Sequence, residues 1–346
     1  MHVDYLEQIE YFNRNKVYSF QIESNLSCQQ ACLYCYASDD GSPLKEMPSE
    51  DIRSLLEAAA MMDVRAIDWL GGDPLTRKDW YALMKYGQQL GLVNNIWTSG
   101  IPLANEVVAR QAVEVTEEGF ISVHLDTLDE TIHRQLQSGK DPHRRMQFIL
   151  KGVEIVQSLG KNPANMINCI TFTTLVARDV DKTIRYFHEK GMQTCLTQIC
   201  RTGLARNHPE WIPSPEEIKA ACEIRDRIDY PSSEVSFCTM DVNKYYCGGT
   251  VCITVDGDVT PCSVIRKSAG NIHDRPLETI IDEHKGELLM TRLRNPEGMP
   301  GNCVSCASSD ICWGCRAMAY YETGDLYGPD PKCYKNDGQG GQEESG

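Results

Sequence analysis

Three cysteines stand close together near the start of the chain: Cys28, Cys32 and Cys35, in the stretch C-Q-Q-A-C-L-Y-C. Three thiolates on so short a loop can hold three irons of a cubane 4Fe–4S cluster. The fourth iron is then open to a small molecule offering an amine and a carboxylate. A zinc site completed by a distant residue is the other reading, since thiolates suit both metals. A second dense zone holds Cys247, Cys252 and Cys262, then Cys303, Cys306, Cys312, Cys315 and Cys333. Eight Cys with no His close by also allow two all-thiolate zinc sites. Cys169, Cys195, Cys200, Cys222 and Cys238 belong to no motif and read as buried free thiols packed as small hydrophobes. For Cys200, at the end of a strand-like run, a redox or substrate role is also open.

The chain has 16 Cys in 346 residues, and its surroundings decide what so many thiols are for. Met1–Arg14 scatters acids through a stretch with no apolar core of signal-peptide length. No apolar run approaches the roughly 18 residues needed to cross a bilayer. A cytoplasmic protein is therefore expected, with thiols reduced and clustered Cys more often binding metal than forming disulfides. With 34 Lys+Arg against 49 Asp+Glu, the formal charge is −15, which disfavours nucleic acid and anionic membrane surfaces as partners.

The elements that must position the first cluster follow from hydrophobic periodicity. Strands are expected at 17–23, 66–70, 94–98, 120–126, 166–174 and 194–200. Helices are expected at 49–62, 78–89, 104–115, 129–137, 145–159 and 179–190, with Ser49-Glu50-Asp51 as a possible cap for the first. Six strands alternating with helices imply right-handed β-α-β units and a parallel sheet. A barrel or partial barrel fits the order and length, and an open doubly wound sheet also fits. In a barrel, functional groups gather at the carboxyl ends of the strands. Those ends here are Glu23–Cys28, Gly71–Pro74, Thr98–Gly100 and His124–Thr127. A hairpin of strands 251–255 and 259–263 about Asp256-Gly257 is expected to present Cys262. The polar, Gly-rich tail at 336–346 is expected to be disordered.

C-x3-C-x2-C with Tyr34 before its last Cys closely resembles the signature of the radical S-adenosylmethionine superfamily. The resemblance implies reductive cleavage of S-adenosylmethionine to methionine and a 5′-deoxyadenosyl radical that abstracts hydrogen. It also implies a low-potential electron donor, a flavodoxin or ferredoxin. Gly71-Gly72-Asp73-Pro74 resembles the family's G-G-E-P segment, implying that Asp73 accepts a hydrogen bond from the methionyl amino group. Thr98-Ser99-Gly100 resembles a T-N-G turn, and His124-Leu125-Asp126-Thr127 the S-L-D segment that reaches the ribose and the methionyl end. His124 reads equally as a His packed in the barrel wall. Tyr34, Gly71, Gly72, Asp73, Pro74, Thr98, Ser99, His124 and Asp126 are thus the implied cofactor-binding residues. His124, Asp126 and Cys200 are the catalytic candidates. The carboxylate-binding Arg of relatives has no counterpart in register: Gln137 and Lys140 fall nearest, with Arg134, Arg144 and Arg145 close by. Arg201-Thr202-Gly203-Leu204-Ala205-Arg206 resembles a segment near the adenine end of the cofactor.

The C-terminal Cys block resembles the SPASM extension of this superfamily, C-x9-15-G-x4-C, C-x2-C-x5-C-x3-C and a final C. Here the last pair has two intervening residues, Trp313 and Gly314, in place of three. The resemblance implies that Cys247, Cys252, Cys262 and Cys315 hold one auxiliary 4Fe–4S cluster and Cys303, Cys306, Cys312 and Cys333 another, three clusters in all. It covers roughly residues 17–335. The implied fold is α/β, a partial (β/α)6 TIM-like barrel at 17–230 and a SPASM domain at 231–335. Residues 1–16 form an N-terminal extension and 336–346 the tail.

Most familiar SPASM enzymes crosslink, oxidise or mature a peptide or protein, which is the substrate class the resemblance implies. Ser263 stands where sulfatase-maturing relatives have an Asp base, so formylglycine formation is disfavoured unless Asp256, Asp258 or another group serves. Only 27 residues precede Cys28, so a peptide is expected to be recognised at the barrel mouth or on a separate carrier protein. H-L-D-T-L-D at 124–129 resembles the S-L-D-T-L-D of molybdenum-cofactor cyclases, which keeps open a small-molecule cofactor precursor, tetrapyrrole- or nucleotide-like. An iron–sulfur electron carrier without enzymatic activity is a third reading, and the strand-end glycines and polar groups count against it.

Overall fold

Seven parallel strands, the first six each followed by a helix, carry the site. The computed structural model describes residues 5–38, 44–139, 141–231 and 243–336; Cys238, Lys140 and most of the 336–346 tail lie outside them. In chain order the elements are α1 (Tyr5–Asn13), β1 (Ser19–Glu23), α2 (Ser49–Met61), β2 (Ala66–Leu70), α3 (Trp80–Gln89), β3 (Val93–Trp97), α4 (Glu106–Val115), β4 (Ile121–His124), α5 (Glu130–Leu136) and α6 (Pro142–Ser158). They continue as β5 (Met166–Phe172), α7 (Val180–Glu189), β6 (Gln193–Gln198), α8 (Pro215–Asp229), α9 (Lys244–Cys247), β7 (Thr250–Ile253), β8 (Asp258–Thr260), β9 (Gly270–Asn271), α10 (Leu277–Leu288) and α11 (Arg316–Thr323). All six expected strands and six expected helices are present. The expected cap at Ser49 is not: Pro48 occupies the N-cap without a side-chain bond, and Ser49 Oγ donates to Asp79 instead.

The sheet order is β6-β5-β4-β3-β2-β1-β7-β8-β9. β1 to β6 pair in parallel in sequence order, as β-α-β units require. The expected hairpin forms as β7 and β8, antiparallel. Its first strand does more than expected, because β7 also pairs in parallel with β1, Ser19 opposite Thr250 and Ile22 opposite Ile253.

Strand alternation separates two environments. Phe20, Ile22, Ile67, Trp69, Ile96, Ile121, Val123, Val251 and Ile253 pack outward against the helices in the main core. Polar side chains fill the inner face. Asp68 accepts from Ser19 Oγ at 3.1 Å, Asn95 Nδ2 at 2.8 Å and Tyr246 OH at 2.9 Å. These bonds satisfy a buried carboxylate that burial otherwise pushes towards its neutral form. They make a closed polar floor beneath the strand ends. Among the described residues no helix is long and apolar enough to cross a membrane.

Candidate active site and cysteine sets

Cys28, Cys32 and Cys35 lie half-buried on the loop after β1. Ala31 takes a left-handed φ of 55° that folds the loop between Cys28 and Cys32. Gln30 N donates to Cys28 Sγ at 3.5 Å and Cys35 N to the Cys32 carbonyl at 3.3 Å. The three thiols are near enough to act on one another electrostatically. Burial, with Asp73 adding to it, pushes the Cys28 thiol up to about 12; burial and Asp126 hold Cys32 well above its usual range. Thiols held up in this way become thiolates only beside concentrated positive charge, as bound metal supplies. The donor set therefore fits a cluster with one open iron.

The connection from α5 to α6 grips this loop from behind. Leu33 N donates to the Leu136 carbonyl and Ser138 N to the Ala31 carbonyl, each at 2.9 Å. The Arg145 guanidinium donates to the carbonyls of Gln29 at 3.4 Å, Ser138 at 2.5 Å, and Gln30. Of the basic residues near the place where relatives carry a carboxylate-binding Arg, Arg145 is thus a brace for the cysteine loop. Gln137 bridges to Cys32 through its backbone.

The second strand end packs edge-on against the same loop. Gly72 N donates to the Asn25 carbonyl and Asp73 N to the Ser27 carbonyl, both at 2.7 Å. A Cβ on Gly71 would stand 2.1 Å from Asn25 O, and one on Gly72 2.3 Å from Ser27 O, so only glycine permits this approach. Asp73 is fully buried. Its carboxylate accepts from Thr98 Oγ1 at 2.8 Å, Ser99 N at 2.9 Å, Ser99 Oγ at 2.5 Å and Leu75 N at 3.1 Å. Asp73 here ties the ends of β2 and β3 together and starts the turn at Pro74, with both oxygens engaged inside the protein. Gly203, in the turn after β6, sits against the other side of the loop: its φ is 55° and a Cβ would meet Cys35 O at 2.3 Å. Leu204 N donates to that carbonyl at 2.9 Å.

Tyr34, His124 and Asp126 meet at the end of β4. The Tyr34 hydroxyl donates to Asp126 and lies 2.9 Å from His124 Nε2. His124 Nε2 is 3.1 Å from Asp126 Oδ1, which also accepts from Thr171 N at 2.8 Å. Burial works against a charged imidazole, but the Asp126 carboxylate and Cys169 outweigh it and hold His124 well above its usual value. Cys169 stands opposite His124 on β5 and opposite Cys195 on β6. A hydrogen bond from Cys195 and the charge of His124 draw the Cys169 thiol down to about 5 despite burial. The sequence alone reads Cys169 and Cys195 as buried free thiols packed as small hydrophobes. Their occupancy of matching places on consecutive strands is the sequence signal that pairs them.

The carboxylates considered as bases on the hairpin face elsewhere. Asp256 pairs with Lys45 at 2.8 Å on the surface, and Asp258 accepts from Ser268 Oγ at 3.0 Å. Ser263 N donates to Gln21 Oε1 at 2.9 Å on the barrel's inner side. The buried carboxylate of that region is Glu23, paired with Arg266 at 2.8 Å, while the Arg266 guanidinium lies 5.5 Å over the Tyr36 ring. Sequence reasoning passed over this pair, whose members lie 243 residues apart.

The C-terminal thiols spread over several short elements. Cys247 closes α9, Cys262 follows β8 and Cys315 caps α11, accepting from Met318 N at 3.5 Å. These three act on one another electrostatically. Val264 N donates to Cys262 Sγ at 3.3 Å, Ser308 N to Cys306 Sγ at 3.5 Å and Gly314 N to Cys312 Sγ at 3.1 Å. Cys303, Cys306 and Cys312 share one loop, and Lys335 Nζ, bonded to Ser308 Oγ at 2.8 Å, ties the stretch carrying Cys333 to it. Backbone donors to sulfur suit thiolates that share metal charge. Among the described residues no three His, Cys, Asp or Glu side chains gather tightly enough for a single metal ion.

Cys252, of the implied ligand set, is placed on a strand and not on a loop. It lies in the middle of β7, fully buried, paired to Gln21 on one side and Thr260 on the other. Its side chain shares the inner face with Ser19 and Thr250, whose hydroxyls are 3.1 Å apart. Its strongest electrical neighbours are Glu23 and Arg266, with Cys262 following.

A family model for the radical SAM superfamily matches residues 22–199, and one for an iron–sulfur cluster-binding domain, SPASM, matches 238–316. The chain belongs to the radical SAM superfamily. Curated relatives include an AdoMet-dependent heme synthase of Methanosarcina barkeri, 25% identical and covering 92% of this chain and 96% of that protein. A PqqA peptide cyclase of Xanthomonas campestris pv. campestris (strain 8004) is 27% identical, with 93% and 88% covered. Native anSMEcpe with bound AdoMet and Kp18Cys peptide superposes at a TM-score of 0.68 with 16% identity, covering 91% of this chain and 93% of that one. Streptococcus suis SuiB bound to S-adenosylmethionine gives 0.63 at 16% identity, covering 95% and 80%. The fold is therefore the partial α/β barrel of radical SAM/SPASM proteins, and the chain is an enzyme of the superfamily that uses 4Fe–4S clusters and S-adenosylmethionine.

Proposed function

We propose that this radical SAM enzyme carries three 4Fe–4S clusters and modifies a peptide or protein by crosslinking, oxidation or maturation. The observation that supports this reading most is the second cysteine block, built on α9, the β7–β8 hairpin and α11 and hydrogen-bonded into the barrel through Tyr246 and Ser263. PqqA peptide cyclases, which match along most of their length, agree with it. Cys28, Cys32 and Cys35 would hold the first cluster, which with S-adenosylmethionine supplies a hydrogen-abstracting 5′-deoxyadenosyl radical. Around it, Gly71 and Gly72 let the backbone come close, and Asp73 fixes Thr98 and Ser99 through its bonds to both. Tyr34, His124 and Asp126 form the polar wall, where the imidazole can hold a proton between the Tyr34 hydroxyl and the Asp126 carboxylate. The second block would pass electrons to or from the substrate, with a flavodoxin or ferredoxin as outside donor and the peptide recognised at the barrel mouth or on a separate carrier protein.

A second reading, action on a small cofactor precursor such as a tetrapyrrole, is favoured by one observation: the heme synthase matches over 96% of its own length. Anaerobic reconstitution should give about twelve irons per chain and reductant-dependent 5′-deoxyadenosine. Deuterium entering 5′-deoxyadenosine from a labelled peptide supports the first reading. Transfer from a labelled tetrapyrrole, with none from peptides, replaces it with the second. Cleavage that survives Cys28, Cys32 and Cys35→Ala together defeats both.

A further inference from the structure

We propose that Cys200, from the barrel, is the fourth thiolate of the first auxiliary cluster, joining Cys247, Cys262 and Cys315, and that Cys252 is not a ligand. The inference rests on the three-cluster reading above and names the ligand set inside it.

The position of Cys252 argues first. A cluster ligand must bring its sulfur to a shared centre, and Cys252 is clamped by ladders on both sides of β7. Its flanking residues Val251 and Ile253 are buried in the main core, so a turn of the strand that re-aimed Cys252 would pull both out. Its first electrical neighbours are an ion pair, Glu23–Arg266, with Cys262 and the Thr260 hydroxyl only after them.

Cys200 stands where Cys252 does not. It follows β6 and packs with Cys247, Cys262 and Cys315 in one apolar cluster that also holds Phe12, Ile265, Trp313 and Met318. Its thiol is within hydrogen-bonding reach of the Cys315 sulfur and is influenced by Cys262. Two independent contacts hold its segment there. Gln198 Nε2 donates to Asp330 Oδ2 at 3.3 Å, and that same oxygen accepts from Cys315 N at 2.7 Å. Arg201 Nε pairs with Glu322 Oε1 at 3.0 Å, on α11 itself. The residues two before and one after Cys200 are therefore both fastened to the segment that presents Cys315.

Four elements, the β6 end, α9, the β7–β8 hairpin and α11, would then each contribute one thiolate. Phe12, Trp313 and Met318 give the set an apolar flank. A four-thiolate cluster has no open iron, which suits electron transfer. A ligand from the barrel also fastens the cluster directly to the strand end that borders the active site.

The test uses the full chain, reconstituted anaerobically, with Cys200→Ala, Cys252→Ala and Cys238→Ala made singly and Cys222→Ala as a control for loss of a buried thiol. The readouts are iron and sulfide per chain, Mössbauer spectra and the electron paramagnetic resonance of the reduced protein. Wild type is expected to hold about twelve irons. Cys200→Ala should lose about four of them, or keep them with one iron in an altered coordination. Cys200→Asp should retain the iron with shifted g values, which separates a ligand effect from a folding defect. Cys252→Ala and Cys222→Ala should match wild type. Full iron with an unchanged spectrum in Cys200→Ala overturns the proposal. So does a change in Cys238→Ala with none in Cys200→Ala, which gives the position to Cys238. A wild-type chain with about eight irons or fewer fails the three-cluster reading itself, a distinguishable result.

Discussion

At Gly71 the backbone runs at φ 126°, and a Cβ would stand 2.1 Å from Asn25 O and 3.0 Å from Asn25 N. The atoms in the way are backbone of the segment that leads into Cys28, so they cannot give without moving the cysteine loop. Gly71→Ala should therefore lower stability by about 3 kcal/mol or more, combining the forbidden φ with the clash. Denaturant unfolding of the iron-free chain measures this. Gly91→Ala, with a positive φ and nothing within 4 Å, should cost about 1 kcal/mol, and equal losses for the two would show that the clash is relieved. The glycines and the three cysteines were legible in the sequence because their spacing is short and their chemistry narrow. The use made of Asp73 was not. Its carboxylate accepts from Thr98 and Ser99, which lie on another strand end and which no local pattern connects to it. The setting of Cys252 was hidden for the same reason: its spacing suits a ligand, and its place in the middle of β7, paired with Gln21 and Thr260, comes from long-range ladders.

The cysteine loop depends on an element far from it in sequence, the α5–α6 connection. Arg145 donates to the backbone of Gln29, Gln30 and Ser138, so it shapes the loop through its carbonyls. Arg145→Ala should cost about 1–2 kcal/mol, the value of charge-assisted hydrogen bonds at a half-buried site. It should also loosen the first cysteine set selectively: reconstituted protein should lose S-adenosylmethionine-induced spectral change while the C-terminal block keeps its iron. Arg145→Lys should restore part of the stability and less of the loop geometry, since an ammonium lacks the planar fork. Unchanged unfolding and unchanged spectra in Arg145→Ala would assign the loop's shape to other contacts. The elements themselves were largely readable, since alternating apolar periods of two and 3.6 are local signals. α8 was missed although it opens with a full capping box, Ser214 to Glu217, that the sequence displays. The pairing of β7 with β1 carried no such signal, because its partners are more than two hundred residues apart and each strand is apolar enough for many neighbours.

That pairing joins the barrel and the cysteine-rich region into one sheet. β1 is the strand that delivers the chain to Cys28, and β7 lies on its free side, with Tyr18 N bonded to the Gly249 carbonyl at 2.6 Å. Side chains repeat the connection: Gln21 Nε2 donates to Tyr246 OH at 2.7 Å and its Oε1 accepts from Ser263 N at 2.9 Å. Arg294 donates to the carbonyls of Gly248, at 2.7 Å, and Phe12, so α1, the turn between α9 and β7, and the segment after α10 are also linked. Separating the two regions would uncover the buried inner row of Ser19, Gln21 and Glu23 together with the edge of β1, exposing unpaired backbone and polar groups at once. The expectation is that the regions open together even without iron. Native-state hydrogen exchange on the iron-free chain should give amides of β1 and β7 opening free energies within about 1 kcal/mol of each other, falling in parallel as denaturant is added. A β7 that exchanges at low denaturant while β1 stays protected would mean two independent modules and a C-terminal block that moves relative to the active site. Joint opening means instead that the distance between the first cysteine loop and the C-terminal thiols is fixed by the sheet, as electron transfer between clusters requires.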